Sequence, residues 1–124
     1  MIRKSTYFLF ITLFIILFGC SDNGNLTKIG SPISNRETIS VDTLFEDTAA
    51  YDGRAVTIQG VIDEQDLNGY WFYLQDGDTR IYVEINNADF SIPDLVNKRI
   101  LVAGVLEVQF NIPSLFATGL EYQK

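Results

Sequence analysis

Three aromatic residues and one arginine lie at alternating positions in the middle of the chain. Trp71 and Tyr73 belong to the segment YWFYLQD, and Arg80 and Tyr82 belong to the segment TRIYVEI. Residues two apart in a strand share one face, so two neighbouring strands would place these side chains on one surface. Exposed rings stack against bases at about 1–3 kcal/mol per base. The chemistry available here is therefore stacking on a flat surface with one cation beside it.

The groups that most enzymes use for acid–base or nucleophilic chemistry are scarce. The sequence contains no His and one Cys, which removes the commonest general base and metal ligand and rules out an intramolecular disulfide. The carboxylates near the predicted turns do not have the spacing of an EF-hand loop; they are Asp63, Glu64, Asp66, Asp76 and Asp78. We therefore expect a protein that is not an enzyme, with no catalytic residue, metal site or cofactor.

The charge of the chain indicates which class of ligand the aromatic residues would bind. The formal net charge is −7. Arg3 and Lys4 belong to an N-terminal leader described below, and without them the chain has seven basic and sixteen acidic residues. An acidic surface repels phosphate backbones. The balance therefore favours a protein, peptide or glycan partner, with single-stranded nucleic acid as the disfavoured alternative.

The aromatic residues also have a purely structural interpretation. Cross-strand aromatic pairs stabilise an exposed sheet face without any ligand, and the segment before the strands could cover such a face. Both interpretations, ligand binding by Trp71, Tyr73, Tyr82 and Arg80 and structural pairing, stay open at the level of sequence.

Five segments show the alternation of apolar and polar residues that predicts strands with one face in a core. They cover residues 54–62, 70–75, 80–85, 99–108 and 115–122. Glycine-containing turn sequences separate the first three, at residues 67–69 and 76–78. The alternation predicts that Phe72 and Leu74 point into the core, so that Trp71 and Tyr73 point outward.

Two helices are predicted around these strands. Ser40 is a favourable N-cap with Asp42 in the first turn, so a helix should run from there to about Tyr51. The sequence FSIPDLVN, residues 90–97, is typical of a short turn or helix between the third and fourth strands, and we expect a helix because Pro93 suits an early helical position.

The first twenty residues have the layout of a secretory leader. Arg3 and Lys4 precede an apolar run of about a dozen residues, which is shorter than the roughly 20 that a spanning helix needs. Residues 17–20, Leu-Phe-Gly-Cys, follow this run and resemble the lipobox of bacterial lipoproteins. The resemblance implies that Cys20 becomes the lipidated first residue, carrying palmitate or related chains. A plain secretory signal and an uncleaved anchor are the alternatives.

The resemblance also implies a location and a domain layout. In that family, Ser21 rather than Asp after the cysteine is typical of outer-membrane sorting, which implies a protein attached to the bacterial cell envelope. Residues 21–37 are rich in Ser, Asn and Gly, a composition typical of a flexible linker, although Ile29 and Ile33 could dock on the domain and order the last residues of this segment. We therefore expect a signal peptide at 1–19, a flexible tether at 20–37 and a folded domain at 38–124.

The strand order completes the prediction of the fold. The runs YDGRAVTIQGVI, GYWFYLQDGDTRIYV and KRILVAGVL resemble OB-fold domains of the tRNA-anticodon-binding-like type and small secreted OB-fold proteins. This resemblance covers about residues 38–122 and implies a mainly β, five-stranded OB-fold Greek-key barrel. OB-folds bind ligands on the outer face of their second and third strands, where Trp71, Tyr73 and Tyr82 are predicted. The sequence thus favours a lipid-anchored binding or adaptor module.

Overall fold

The structure is a computed structural model and describes residues 25–85 and 89–124. Its strands are β1 (Leu26–Gly30), β2 (Ala55–Gln65), β3 (Trp71–Asp76), β4 (Thr79–Ile85), β5 (Arg99–Gln109) and β6 (Ile112–Gln123). Two short helices, α1 (Val41–Glu46) and α2 (Thr48–Tyr51), lie between β1 and β2. The strands β2 to β6 correspond to the five predicted strands.

These five strands close into a barrel. Going around the sheet, β6, β4, β3, β2 and β5 follow one another, and β5 pairs again with β6. The β4–β6 pair is parallel, whereas β2–β3, β3–β4, β2–β5 and β5–β6 are antiparallel. A closed Greek-key barrel of five strands is the OB-fold, so the predicted fold class is confirmed.

The core lies inside the barrel and consists of the inward side chains of every barrel strand. On β3 and β4 these are Phe72, Leu74, Ile81 and Val83, each no more than 1% exposed. A fully buried side chain of this size stabilises the fold by about 1.5–3 kcal/mol. The inward half of the β3–β4 hairpin therefore contributes to stability, and the outward half is available for other roles.

Two strands change partner or register at or next to a glycine. The strand β2 pairs with β5 through residues 55–61 and with β3 through residues 61–65. At Gly60, next to this change, a Cβ atom would collide with the carbonyl oxygen of Gln75. A Cβ at Gly104 would collide with the carbonyl of Phe116, where the β5–β6 register shifts. Only glycine allows the backbones to come this close.

The helix predicted from Ser40 to about Tyr51 is present but broken in two. The Ser40 hydroxyl accepts a hydrogen bond from the backbone N–H of Thr43 at 3.2 Å, as expected of an N-cap. The helix breaks at Asp47, whose φ of −145° is not helical. Val41 and Leu44 are fully buried against the core, so α1 helps to cover it.

The prediction of a helix between the third and fourth barrel strands is wrong. Residues 90–95 have no regular structure, and a turn follows at 96–97. Apart from local bonds in the turn, the backbone of this segment bonds to distant parts of the chain. The Gln65 side-chain amide donates to the Pro93 carbonyl at 3.0 Å and accepts from the Leu95 N–H at 2.7 Å. The Ile92 N–H donates to the Gly69 carbonyl at 3.0 Å. These tertiary bonds replace the helical ones.

The segment expected to be a flexible tether forms a strand in part. The strand β1 pairs antiparallel with β6, from Gly30 opposite Gly119 to Leu26 opposite Gln123. It occupies the edge of β6 beyond residues 114–117, which pair with β4. Backbone bonds to a free edge do not require an apolar sequence, which is why composition alone favoured a linker here.

The residues after β1 are also held against the barrel. The Ser31 N–H donates to the Thr118 carbonyl at 2.9 Å, and the Thr57 hydroxyl donates to the Asn35 carbonyl at 2.7 Å. Arg36 forms an ion pair with Glu121, with 2.7 Å between Nη2 and Oε2. Residues N-terminal of residue 38 thus contact the barrel.

Candidate functional site

The β3–β4 hairpin brings the predicted aromatic residues together. Its two-residue loop has Gly77 at a φ of +64°, a conformation that suits glycine. The resulting register places Tyr73 directly opposite Tyr82, and Trp71 opposite Glu84. Their side chains point to the outer surface, because the alternating residues between them are buried. We call Trp71, Tyr73 and Tyr82 the aromatic face.

The three rings of the aromatic face contact one another. The ring centroids of Tyr73 and Tyr82 are 5.5 Å apart, those of Trp71 and Tyr73 are 6.0 Å apart, and those of Trp71 and Tyr82 are 6.1 Å apart. The first two pairs meet edge to face, and the third pair is tilted by 31°. These are the distances and angles that aromatic pairs prefer. Each ring is half-buried, so the face is ordered yet open to solvent.

Arg80 lies on one side of the aromatic face and is already paired. Its guanidinium carbon is 3.9 Å from the centroid of the Tyr73 ring, a cation–π contact. Its two terminal nitrogens contact the carboxylates of Asp63 and Glu64 at 3.2 and 3.1 Å. The one cation predicted for the face is therefore neutralised within the protein.

A β-bulge makes this double pairing possible. The register between β2 and β3 shifts between Ile62 and Glu64, so Asp63 is the extra residue. In a regular strand the neighbours Asp63 and Glu64 would point to opposite faces. A bulge re-aims one of two such side chains, and here both reach Arg80. The first strand was predicted to end at residue 62, whereas both acidic residues lie within β2.

The other side of the aromatic face carries carboxylates without a paired cation. The pKa of Tyr82 is raised above its ordinary value, chiefly by burial, and further by the nearby charges of Glu84 and Asp66 and by Tyr73. Asp66 is held near Trp71, because its backbone N–H donates to the Trp71 carbonyl at 3.0 Å. Over residues 25–85 and 89–124, neither Glu84 nor Asp66 has an ion-pair partner.

All four ligand-binding residues predicted from the sequence are thus neighbours on one surface. Trp71, Tyr73 and Tyr82 contact one another, and Arg80 stacks on Tyr73. Neither the bulge nor the acidic residues beside Trp71 and Tyr82 were predicted. The one available signal was the cluster of acidic residues Asp63, Glu64 and Asp66 after the first predicted strand.

Two further apolar side chains near this surface were not predicted. Phe110 and Ile112, at the β5–β6 turn, are 96% and 62% exposed. Ile112 lies two residues before Ser114, which pairs with Tyr82 in the β4–β6 register. The sequence could have indicated this exposure, because Phe110 stands beside Asn111, a residue typical of turns.

The remaining predicted features fall elsewhere. Cys20, the predicted lipidation site, and the signal peptide lie outside the described residues. Asp76 accepts a hydrogen bond from the Val41 N–H at 3.1 Å and so helps to cap α1. In the described part of the chain no cluster of carboxylates has the arrangement of a metal site. No helix among these residues has the length and apolar character needed to cross a membrane.

Comparison with known proteins supports the fold. No protein-family model and no curated protein sequence matches the chain. Among solved structures, the hypothetical protein YgiW from E. coli superimposes with a TM-score of 0.50 at 18% identity, over 74% of this chain and 94% of that one. The telomere capping protein Ten1 from Saccharomyces pombe gives 0.49 at 15% identity, over 66% and 77%. The S. pombe Stn1–Ten1 complex gives 0.45 at 16% identity, over 68% and 77%.

The strand order and the likeness to YgiW define a class of protein. The chain is a small OB-fold protein with an added N-terminal strand on β6. At these levels of identity the likeness extends to the fold alone, because one fold serves many functions. The function has to be argued from the aromatic face.

Proposed function

We propose that this protein is a non-enzymatic binding module that holds a protein, peptide or glycan partner on its aromatic face. The observation that carries the proposal is the half-exposed cluster of Trp71, Tyr73 and Tyr82. It lies on the second and third barrel strands, which OB-folds generally use for ligands. Arg80 completes the surface by fixing the ring of Tyr73.

The position of the cluster favours a role beyond structural pairing. The hairpin is already anchored by its inward residues, of which Phe72 and Leu74 are completely buried. Trp and Tyr bring large, rigid contact area with little loss of conformational entropy, which is why they dominate binding hot spots. An ordered aromatic surface is preorganised for binding, so little conformational entropy is lost when a partner binds.

Single-stranded nucleic acid is the second candidate, because contacting aromatic rings on an OB-fold suit base stacking. The electrostatics of the surface argue against it. Arg80 is neutralised by Asp63 and Glu64, and no other basic residue occurs on β3 or β4. A phosphate backbone would therefore meet carboxylates.

The proposal includes attachment to the cell envelope through Cys20. Its support is the leader and the lipobox-like Leu-Phe-Gly-Cys sequence at residues 17–20. Two or three acyl chains, at about 0.8 kcal/mol per buried methylene, give stable membrane attachment. A module placed in this way would act as an adaptor on the outer membrane.

The test compares Trp71→Ala with Phe45→Ala in the full-length protein purified in mild non-ionic detergent. Phe45 lies on α1 and is 40% exposed, so it controls for the loss of an exposed aromatic ring. We expect Trp71→Ala to lose capture of a partner from envelope extract by at least tenfold, since hot-spot residues contribute 2 kcal/mol or more. The thermal unfolding midpoint should change little.

Three outcomes would contradict parts of the proposal. Unchanged capture by Trp71→Ala together with a large fall in the unfolding midpoint would make the cluster structural. Equal losses in both variants would place the binding surface elsewhere. Tight binding of an oligonucleotide at low salt, weakened by added salt, would favour the second candidate.

A further inference from the structure

The aromatic face has two sides with similar composition, and an intramolecular cation pairs with one of them. On the Tyr73 side, an aromatic ring and the two carboxylates of Asp63 and Glu64 surround the guanidinium of Arg80. On the Trp71–Tyr82 side, the ring centroids are 6.1 Å apart and Glu84 lies directly opposite Trp71 in the register. The backbone of Asp66 is bonded to that of Trp71, and its carboxylate accepts a hydrogen bond from the Tyr70 N–H at 3.2 Å. No Lys or Arg of the described chain pairs with either of these carboxylates.

From this we infer that the Trp71–Tyr82 side binds the guanidinium or ammonium group of a basic side chain in a partner peptide. The inference rests on the proposed function and narrows its ligand class. The incoming cation would lie on the Trp71 and Tyr82 rings, beside Glu84, as Arg80 lies on Tyr73.

The chemistry of the surface supports a cation. A positive group over the face of Trp is attracted by the ring quadrupole, and Trp is the best of the three aromatic residues for this contact. The carboxylate of Glu84, directly opposite Trp71 in the register, adds a charge-assisted hydrogen bond. A neutral sugar would stack on the rings and donate hydroxyl hydrogen bonds to Glu84, but it would bring no positive charge to compensate the carboxylate.

The protein itself shows that this combination holds a guanidinium. Arg80 is 44% exposed, so water could hydrate its head group. It stacks on Tyr73 at 3.9 Å and contacts two carboxylates. A guanidinium from another chain would find the same types of group on the Trp71–Tyr82 side.

The test is a titration of the full-length protein in non-ionic detergent with two capped peptides. One contains three arginines in a glycine–serine sequence, and the other has citrulline at the same positions, which removes the positive charge. Trp71 is the single tryptophan of the chain, so its fluorescence reports directly on the site. We expect the arginine peptide to bind and the citrulline peptide to bind at least about fivefold more weakly.

Two variants separate local contact from net charge. Glu84→Gln removes the carboxylate opposite Trp71, and Glu107→Gln makes the same charge change at an exposed position on β5. We expect Glu84→Gln to weaken binding of the arginine peptide roughly three- to fivefold and Glu107→Gln to weaken it by less than about twofold. Far-ultraviolet circular dichroism checks that both variants fold.

The inference is overturned by equal binding of the two peptides or by equal effects of the two variants. It is also overturned if neither peptide binds while capture of an envelope partner still depends on Trp71, and in that case the proposed function stands. If neither peptide binds and Trp71→Ala loses no capture, both the inference and the proposed function fail.

Discussion

Glu121 shows how one charged residue fixes the N-terminal segment to the barrel. Its side chain is 4% exposed, and that of its partner Arg36 is 56% exposed. A hydrogen bond from Arg36, 3.1 Å from Nη1 to Oε1, and its positive charge hold the pKa of Glu121 below the ordinary value, although burial acts in the opposite direction. The ionised form is therefore the stable one in the folded protein.

This pairing predicts a pH-dependent contribution to stability. A carboxylate whose pKa is lowered by folding stabilises the native state above its unfolded pKa, and this contribution is lost as the pH falls through the folded value. We expect Glu121→Gln to lower the thermal unfolding midpoint by a few degrees at pH 7. The difference from the wild type should shrink as the pH falls below about 4.5.

Differential scanning calorimetry between pH 3 and pH 7 measures this effect. Glu107→Gln is the matched control, because Glu107 is exposed and should be close to neutral at every pH. A constant difference between wild type and Glu121→Gln over the whole range would show that the effect comes from packing and not from the charge.

Residue-level alternation was enough to predict the aromatic face. Phe72 and Leu74 were predicted to be buried. Because side chains alternate between the two faces of a strand, Trp71 and Tyr73 were predicted to point outward. The pairing of Arg80 could not be predicted in the same way. It depends on the bulge at Asp63, which breaks the alternation on which the prediction was based.

At the scale of elements, the β5–β6 hairpin has an unfavourable turn sequence. Gln109 pairs with Ile112, so Phe110 and Asn111 form a two-residue loop, with φ of 52° and 63°. Such turns favour Asn and Gly at both positions. A bulky residue in the left-handed region costs about 1–2 kcal/mol, and the Phe110 ring is 96% exposed, so packing does not offset that cost.

We therefore expect Phe110→Asn to stabilise the protein by about 1 kcal/mol. Asn tolerates the left-handed conformation better than Phe does, because its side chain is small and forms local hydrogen bonds. Urea unfolding at constant m-value measures the change. The comparison variant Asn111→Ala should move the midpoint in the opposite direction. A loss of stability in Phe110→Asn would show that the ring makes a packing contact after all.

The elements that were predicted wrongly have tertiary causes. The helix expected at residues 90–97 is absent because Gln65, far away in the sequence, bonds to the backbone on both sides of Asp94. The strand β1 escaped prediction because its partner is the exposed edge of β6. The local sequence of residues 90–97 does not reveal the bonds to Gln65, and the local sequence of β1 does not reveal its pairing with β6.

At the scale of the whole molecule, the predicted barrel and its strand order are confirmed because the five alternating segments leave few ways to close a small sheet. Attachment of the barrel to a membrane stays a prediction. It depends on Cys20 and the apolar run before it, which lie outside the described residues.

The attachment is tested by Cys20→Ala in cells supplied with labelled palmitate. We expect the wild-type protein to incorporate the label and to sediment with membranes, since thioether-linked chains hold it there. Cys20→Ala should incorporate no label and leave the membrane fraction. Ser21→Ala, one residue away, should behave as the wild type does. Continued labelling of Cys20→Ala would place the lipid at another residue, and its continued sedimentation would indicate an uncleaved leader.

The pairing of β1 with β6 sets how far the barrel could move from a lipid at Cys20. Since Leu26 is fixed in the sheet and the Asn25 carbonyl accepts a hydrogen bond from the Lys124 N–H at 3.1 Å, only residues 21–24 would remain as the connection. At about 3.3–3.6 Å per residue, the full stretch from Cys20 to Asn25 is roughly 17 Å, less than the width of the barrel plus one partner domain. A protein attached by so short a connection would meet partners embedded in, or lying directly against, the membrane that holds its lipid. It could not reach a partner in a second, distant membrane.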